Sequence, residues 1–461
     1  MTRTSPRRRD NHGMRQAAEI GRALALALAL GGATAAWGEV SFSGSSYEVY
    51  SETPASSTGL DCVYVLRDAD GMSMSYTATT SNTVTWYMFG SSGGGYAEEV
   101  SGVETSGKVS TLSPLTANCG YIIEEGTDRT YLWVIDYSDY YLSLVDITYD
   151  SEQDCGTVTL YVTGEGADLV YYTINGGKKT LDRELELEYS NLVWNEDDLS
   201  WDQEDVTDTY DSFQSTITLQ APYCDTTFRL SGDKFLHFWG TQDIVESDTY
   251  YTSAVGVETT ATQEERENLN EVSSSDSDLG GSAPVVITFT AYYTDAVSHK
   301  EWQIAEDSEF EELLYRYNED EITHTFNDAG TFYVKFVGTE STGECSAEGE
   351  TYTVEVGESS LLCPNVFSPT SSEGVNDEWR VSYKSIVEFK CWIFNKWGIQ
   401  ICELTDPSQG WDGKYKGKYV KSGTYYYVIK ARGSDGQVYN LSGDINIIGL
   451  KEESSSSTSS E

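Results

Sequence analysis

CPNVFSPTSSEGVNDEWRV (363–381), WIFNKWG (392–398), GWDGKYKGKYVKSGTYYYVIKA (410–431) and DGQVYNLSGDINII (435–448) follow one another near the end of the chain. Each sets short apolar or aromatic runs between turn residues, the pattern of paired strands. Pro364 stands just before an apolar strand, and Gly374, Asn376 and Asp377 supply turn chemistry. IVEFKCWIF (386–394) and GIQICEL (398–404) flank Asn395, Lys396 and Trp397 as the arms of a hairpin. With Lys396–Trp397 as a two-residue loop, Cys391 and Cys402 face each other; a cross-strand disulfide and two buried thiols both fit. Gly410, Trp411, Asp412 and Gly413 read as a tight loop. In SGTYYYVIKA (422–431), Tyr425 and Tyr427 share one strand face, Tyr426 and Val428 the other.

The order of these pieces carries a resemblance. Pro364, Asn365, Phe367 and Pro369 open it, with Gly374, Asn376 and Asp377 in the turn that follows. Next come Ile393, Phe394, Asn395, Trp397 and Gly398, then Gly410, Trp411, Asp412 and Gly413, then Gly423 and Tyr425, and last Gly443. The set resembles the gliding-motility-associated C-terminal domain, the type B sorting domain of the type IX secretion system of Bacteroidetes-type bacteria. The resemblance covers residues 361–450 and implies a β-sandwich that serves as an address label. The type IX machinery would read it and carry the chain over the outer membrane, to the cell surface or the medium. Ser371, Ser372 and Glu373 replace the Asn- and Asp-rich opening loop of the family, which weakens a calcium-loop reading of this turn. Lys396 replaces an arginine and so loses a planar, multi-donor side chain. Residues 451–461, rich in serine and acid, are expected to form a disordered tail.

Outward from this module the composition changes. The 461-residue chain carries a net charge of −46, but residues 39–360 alone hold −49, whereas 361–450 sum to +1. So acidic a body would repel nucleic acid and anionic membrane, which makes both poor partners. A near-neutral terminal module suits a docking surface that must not repel its receptor. The 33 Tyr and 11 Trp, set among Val, Thr and Ile, favour strands over helices. The expected class is all-β, with tandem immunoglobulin-like β-sandwich domains.

At the other end, Arg15 and Arg22 precede the apolar run Ala23–Leu30, with small residues after it. Residues 1–38 therefore read as a secretory signal peptide, with Met14 an alternative start and a twin-arginine signal the runner-up. The run falls short of the ~20 residues a membrane span needs, so no transmembrane span is expected in the mature chain. Export makes the eight cysteines interpretable as disulfide candidates. Spacing suggests Cys62 with Cys119 and Cys155 with Cys224, among other connectivities. No CxxC occurs, and His237, His299 and His324 are the histidines left after signal removal, so no cofactor or dedicated metal site is expected.

Between the ends, three modules are expected. Residues 39–149 form a β module in which Cys62, Trp86 and Cys119 resemble the immunoglobulin pattern of Trp packed on a disulfide, although Ala117 replaces its usual Tyr. Residues 150–260 form a second, with a hairpin at Asn175–Gly177. Its acidic stretch 195–211 reads as a solvated loop, with calcium chelation there the alternative. For the acidic body as a whole, solubility is the plain reading and diffuse calcium binding at the surface the sharper one. Residues 261–281 read as a polar linker. Residues 282–358, with Trp302 and THTFNDAGTFYVKF (323–336), resemble the polycystic-kidney-disease repeat, itself an immunoglobulin-like sandwich, which makes His324 a structural strand residue.

Three function classes compete. A noncatalytic surface protein, acting as an adhesin or interaction scaffold toward an unknown protein or glycan ligand, fits tandem β modules with acidic faces. A glycan binder would use exposed members of Tyr140–Tyr141, Tyr171–Tyr172, Tyr250–Tyr251 or Tyr292–Tyr293. A hydrolase has no support: GxSxG and HExxH are absent, and acid pairs carry no information among 61 acids.

Overall fold

Runs of β-branched and aromatic residues pair into mostly antiparallel ladders throughout the described residues, and the computed structural model is all-β, with four sandwich units. It describes residues 38–449 apart from 81–82, 151–153, 273–278 and 371–373. The expected signal peptide and the expected tail lie outside the described residues. Among the described residues no helix is long and apolar enough to cross a membrane.

In the first unit a four-stranded sheet faces a six-stranded one. Trp86 and Tyr121 pack edge to face in the core between them, and Trp86 Nε1 donates to Ser110 Oγ at 3.0 Å. The outer face of the six-stranded sheet is buried too. Val63, Phe89, Trp133 and Ile135 pack there on Leu169, Tyr171 and Phe235 of the second unit, so the two units share a core.

The second unit's own strands begin at Leu142–Tyr149, which pairs with Thr157–Gly166. The expected boundary near residue 150 thus falls after a strand that belongs to this sandwich. The expected loop at 195–211 is corrected: Ser200–Tyr210 is a strand paired along Leu185–Asn195. Trp201, Val206 and Tyr210 stand opposite Trp194, Tyr189 and Leu185, and this cross-strand packing outweighs the low strand propensity of the acids between them. At the hairpin's tip Trp194 meets Tyr292 of the third unit, ring centroids 5.3 Å apart.

The third unit packs Trp302, without exposed surface, against Phe289 and Phe336. Strand pairing also runs through part of the stretch expected as linker. Val257–Gln263 pairs with Val285–Tyr293, and Leu279–Gly281 runs parallel to Tyr352–Val356. Residues 264–272 then reach over to the fourth unit. Asn270 Nδ2 donates to the carbonyls of Val381 and Pro407 at 2.7 and 2.8 Å, and Tyr383 exchanges backbone hydrogen bonds with Asn270 and Val272. Behind this clamp, Ser282 Oγ accepts from Ser385 N at 2.7 Å and Ser385 Oγ from Ala283 N at 3.1 Å, all buried.

The fourth unit is built on a five-stranded sheet, in the order Val366–Phe367, Val438–Ile447, Gly423–Gly433, Ile386–Phe394, Gln400–Leu404. Cys391, Ile393, Ile429 and Ile445 point inward with almost no exposure, beneath Trp379 and Trp411.

Candidate functional site

The terminal motifs fold into one packed knot around Trp411, which is 2% exposed. Phe367 lies against its ring at 5.5 Å and Tyr425 meets it edge-on at 5.3 Å. Its backbone pairs with Trp379 in both directions, and its indole Nε1 donates to the Lys414 carbonyl at 3.0 Å. Gly413, at φ +74°, brings the loop so close to Pro369 that a Cβ would stand 3.1 Å from that ring. Asp412 closes the turn, accepting from Lys414 N and Nζ. Gly410 allows the chain to pass Glu378, whose carboxylate a Cβ would meet at 2.3 Å.

The opening motif closes the edge of the sheet. Val366–Phe367 runs parallel to Val438–Ile447, the Asn365 carbonyl accepts from both Asn446 N and Nδ2, and the Pro364 carbonyl accepts from Trp379 Nε1 at 2.6 Å. Gly374 N donates to Asp377 at 3.0 Å, and Asn376 adopts φ 55° while its carbonyl accepts from Ser368 N. Gly423 opens its strand at φ +144°, and Gly443 leaves room for Tyr427, whose hydroxyl a Cβ would meet at 2.6 Å. These residues are structural: they make the sandwich close.

A different set is left outside. The turn after Ile386–Phe394 is longer than the two-residue loop expected. Asn395 Oδ1 accepts from Trp397 N and Ile399 N, both at 3.0 Å, and Gly398 takes φ +75°. This shifts the register, so that Cys391 faces Leu404 and Cys402 faces Ile393. Trp397 is thrown to the tip, 74% exposed, with Lys396 Nζ 4.7 Å above its ring. Ile393 is buried and Phe394 half-buried on the sheet's outer side. Directly opposite Phe394 stands Tyr426, and opposite Trp392 stands Val428.

The cysteine expectations need correction. Strand Asp128–Asp136 separates Cys62, beside Leu132, from Cys119, beside Val134. Two strand spacings are about 10 Å, beyond the ~7 Å between Cα atoms that a disulfide spans. Both are free, and burial pushes each thiol up to about 11. Cys155 pairs not with Cys224 but with Cys345 of the third unit, Cα atoms 5.3 Å apart. Tyr223 N donates to Asn191 Oδ1 at 2.7 Å, which draws the turn bearing Cys224 onto a neighbouring strand, and Cys224 is free. Nothing in the local spacing pointed to Cys345.

His324 lies on strand Glu321–Phe326, where Tyr317 Oη meets its Nδ1 at 2.9 Å and burial lowers its pKa. Among the described residues no group of three or more His, Cys, Asp or Glu is placed to hold a metal ion. The Tyr pairs divide as strand and turn geometry dictates: Tyr250 is buried and Tyr251 exposed, Tyr171 buried and Tyr172 half-buried.

Comparison with known proteins follows the same division. The fibronectin type III domain family matches residues 147–247, and the CHU_C type IX secretion signal domain family matches residues 361–445. No curated protein matches the chain. Among solved structures, a tetra-tandem repeat from the extending region of a large adhesion protein is 12% identical, covers 83% of this chain and 98% of its own, and has a TM-score of 0.21. A Ca2+-stabilized adhesin of an Antarctic bacterium that binds ice is 14% identical, with 87% and 99% covered and a TM-score of 0.19. Fibronectin(III)-like modules of CbhA from Clostridium thermocellum are 13% identical, with 41% and 93% covered and a TM-score of 0.17. The chain therefore carries a CHU_C type IX secretion signal domain at its C-terminal end, preceded by a fibronectin type III-like domain among further β-sandwiches.

Proposed function

We propose that this is a noncatalytic, multidomain protein exported through the type IX secretion system to the cell surface or medium, where it acts as an adhesin or interaction scaffold. The observation that carries the reading is the match of residues 361–445 to a type IX secretion signal domain, whose motif residues make one packed knot around Trp411. A secretion signal needs a stable fold with a readable face and no catalytic group. The rest of the chain suits display. Its neighbouring units are joined by a shared core, an aromatic contact at Trp194 and a disulfide. The third sandwich, with Trp302 at its centre, is read as polycystic-kidney-disease-like.

Deleting residues 361–461 tests the export reading. In a type IX-competent host the shortened chain should remain in the periplasm, while the intact chain leaves the cell. Equal amounts outside for both would refute it. A glycan array tests the scaffold reading: sugar-specific binding lost on Tyr141→Ala or Tyr251→Ala would replace it with a glycan-binding role.

A further inference from the structure

We propose that the outer face of the terminal five-stranded sheet is the surface the export machinery reads, and that its receptor presents an apolar groove rimmed by carboxylates. The proposal rests on the type IX reading above and adds the face and the chemistry of the partner.

Two independent features of the face point there. First, apolar side chains that the core does not use share this face or stand on the turn beside it. Phe394 stands opposite Tyr426, Trp392 stands opposite Val428, and the turn that follows Phe394 carries Trp397. Tyr426, Val428 and Trp397 are 47%, 38% and 74% exposed, and none of these five belongs to the packed core or its half-buried margin. An apolar patch of this kind, ringed by Gln400, Glu403, Ser442 and Asp444, has the layout of a protein-binding surface. Aromatic side chains in such a patch dominate contact energies.

Second, one step along the same face Lys390 stands directly opposite Lys430. Like charges facing across a strand pair are unfavourable. The next pair shows the usual solution, with Arg432 bonded to Glu388 at 2.8 Å. Among the described residues no carboxylate bonds to Lys390 or Lys430 (both are exposed), and Lys396 adds a third cation at the tip. A partner's carboxylate placed over the lysine pair would relieve this repulsion on binding, which is how charge sets specificity at an interface. A second copy of the chain is disfavoured by the −46 charge it would bring, and an anionic membrane by the same repulsion.

The test expresses the full chain in a type IX-competent host and measures the fraction found outside the cell. Trp397→Ser with Tyr426→Ser should cut that fraction by about tenfold, the scale of losing strong anchors. Lys390→Glu separates recognition from folding. It turns the like-charge pair into an opposite-charge pair, so the melting temperature of the purified chain should hold or rise while export falls. Normal export of both variants, with the 361–461 deletion still trapped, would overturn the face assignment and leave the export reading standing. Export of the deletion itself would sink that reading as well. Binding of the purified full chain to phosphatidylglycerol vesicles, lost with Trp397→Ser, would overturn the protein receptor in favour of a membrane surface.

Discussion

Arg183 and Asp233 meet as an ion pair with no exposed surface on either side chain. Asp233 also accepts from Tyr137 Oη and, at 3.0 Å, from Leu236 N, capping the helix Lys234–Phe238. Arg183 donates in addition to the carbonyls of Tyr140 and Ala167. Tyr137 and Tyr140 come from the first unit, Arg183 and Asp233 from the second, so one saturated polar network nails the two together. Its worth lies in what breaking it leaves behind, because an unpaired buried charge costs far more than an intact pair contributes.

Arg183→Met is accordingly expected to destabilise the chain by about 3–5 kcal/mol, and Arg183→Met with Asp233→Leu to recover part of the loss. Urea unfolding of the two variants beside the parent decides it; a single variant within error of the parent would rule the account out.

Glu125 predicts an acid sensitivity. It is buried in the first unit, and burial opposes its ionisation. The hydroxyls and amides of Thr80 and Thr79, with Tyr76 Oη, outweigh that and hold the carboxyl at about 2. A folded-state value below the unfolded one means that the native state binds fewer protons. Its contribution is complete above about pH 4.3 and is lost as pH falls toward 2. Glu125→Gln should be less stable than the parent at pH 7 and flatter across that interval. Parallel stability–pH curves for the two would contradict this.

Thiol titration checks the cross-unit bridge. The unreduced, denatured chain should expose six thiols and the reduced chain eight. Peptide mapping should recover Cys155 joined to Cys345. Closing a loop of 190 residues corresponds to about 5 kcal/mol in the chain-entropy account, so Cys345→Ser should loosen the junction of the second and third units markedly. A Cys155–Cys224 peptide would refute the assignment.

The two tryptophans of the terminal motifs should behave in opposite ways. Trp411→Ala removes a buried ring and is expected to cost about 3–5 kcal/mol. Trp397→Ala strips an exposed one and should stay within about 0.5 kcal/mol. Thermal melts of the two variants make the comparison; equal losses would mean that Trp397 packs after all.

These contrasts show what the sequence could and could not disclose. Ile386–Phe394 and Gly423–Gly433 were legible because their inward residues, among them Cys391 and Ile393 on the first and Tyr425, Tyr427 and Ile429 on the second, recur at every second position, even though Trp392, Phe394, Tyr426 and Val428 make part of the outer face apolar. The register between Ile386–Phe394 and Gln400–Leu404 was not. It depends on the Asn395 side chain capturing two amides, a choice that the letters NKWG leave open. Ser200–Tyr210 was hidden by its acids, since a strand held by partner side chains such as Trp194 and Tyr189 need not announce itself locally. The lysine pair at 390 and 430 is invisible until two strands forty residues apart are laid side by side.

The clamp from residues 264–272 onto Tyr383 bears on how the export signal could be moved to another cargo. Cut free at residue 361, the last sandwich would lose Asn270 from the Val381 and Pro407 carbonyls and bare the seam at Ser385. Buried polar groups stripped of their partners are costly. A graft that begins near Val257 carries its own buttress and should travel intact, whereas one that begins at the motif would arrive frayed.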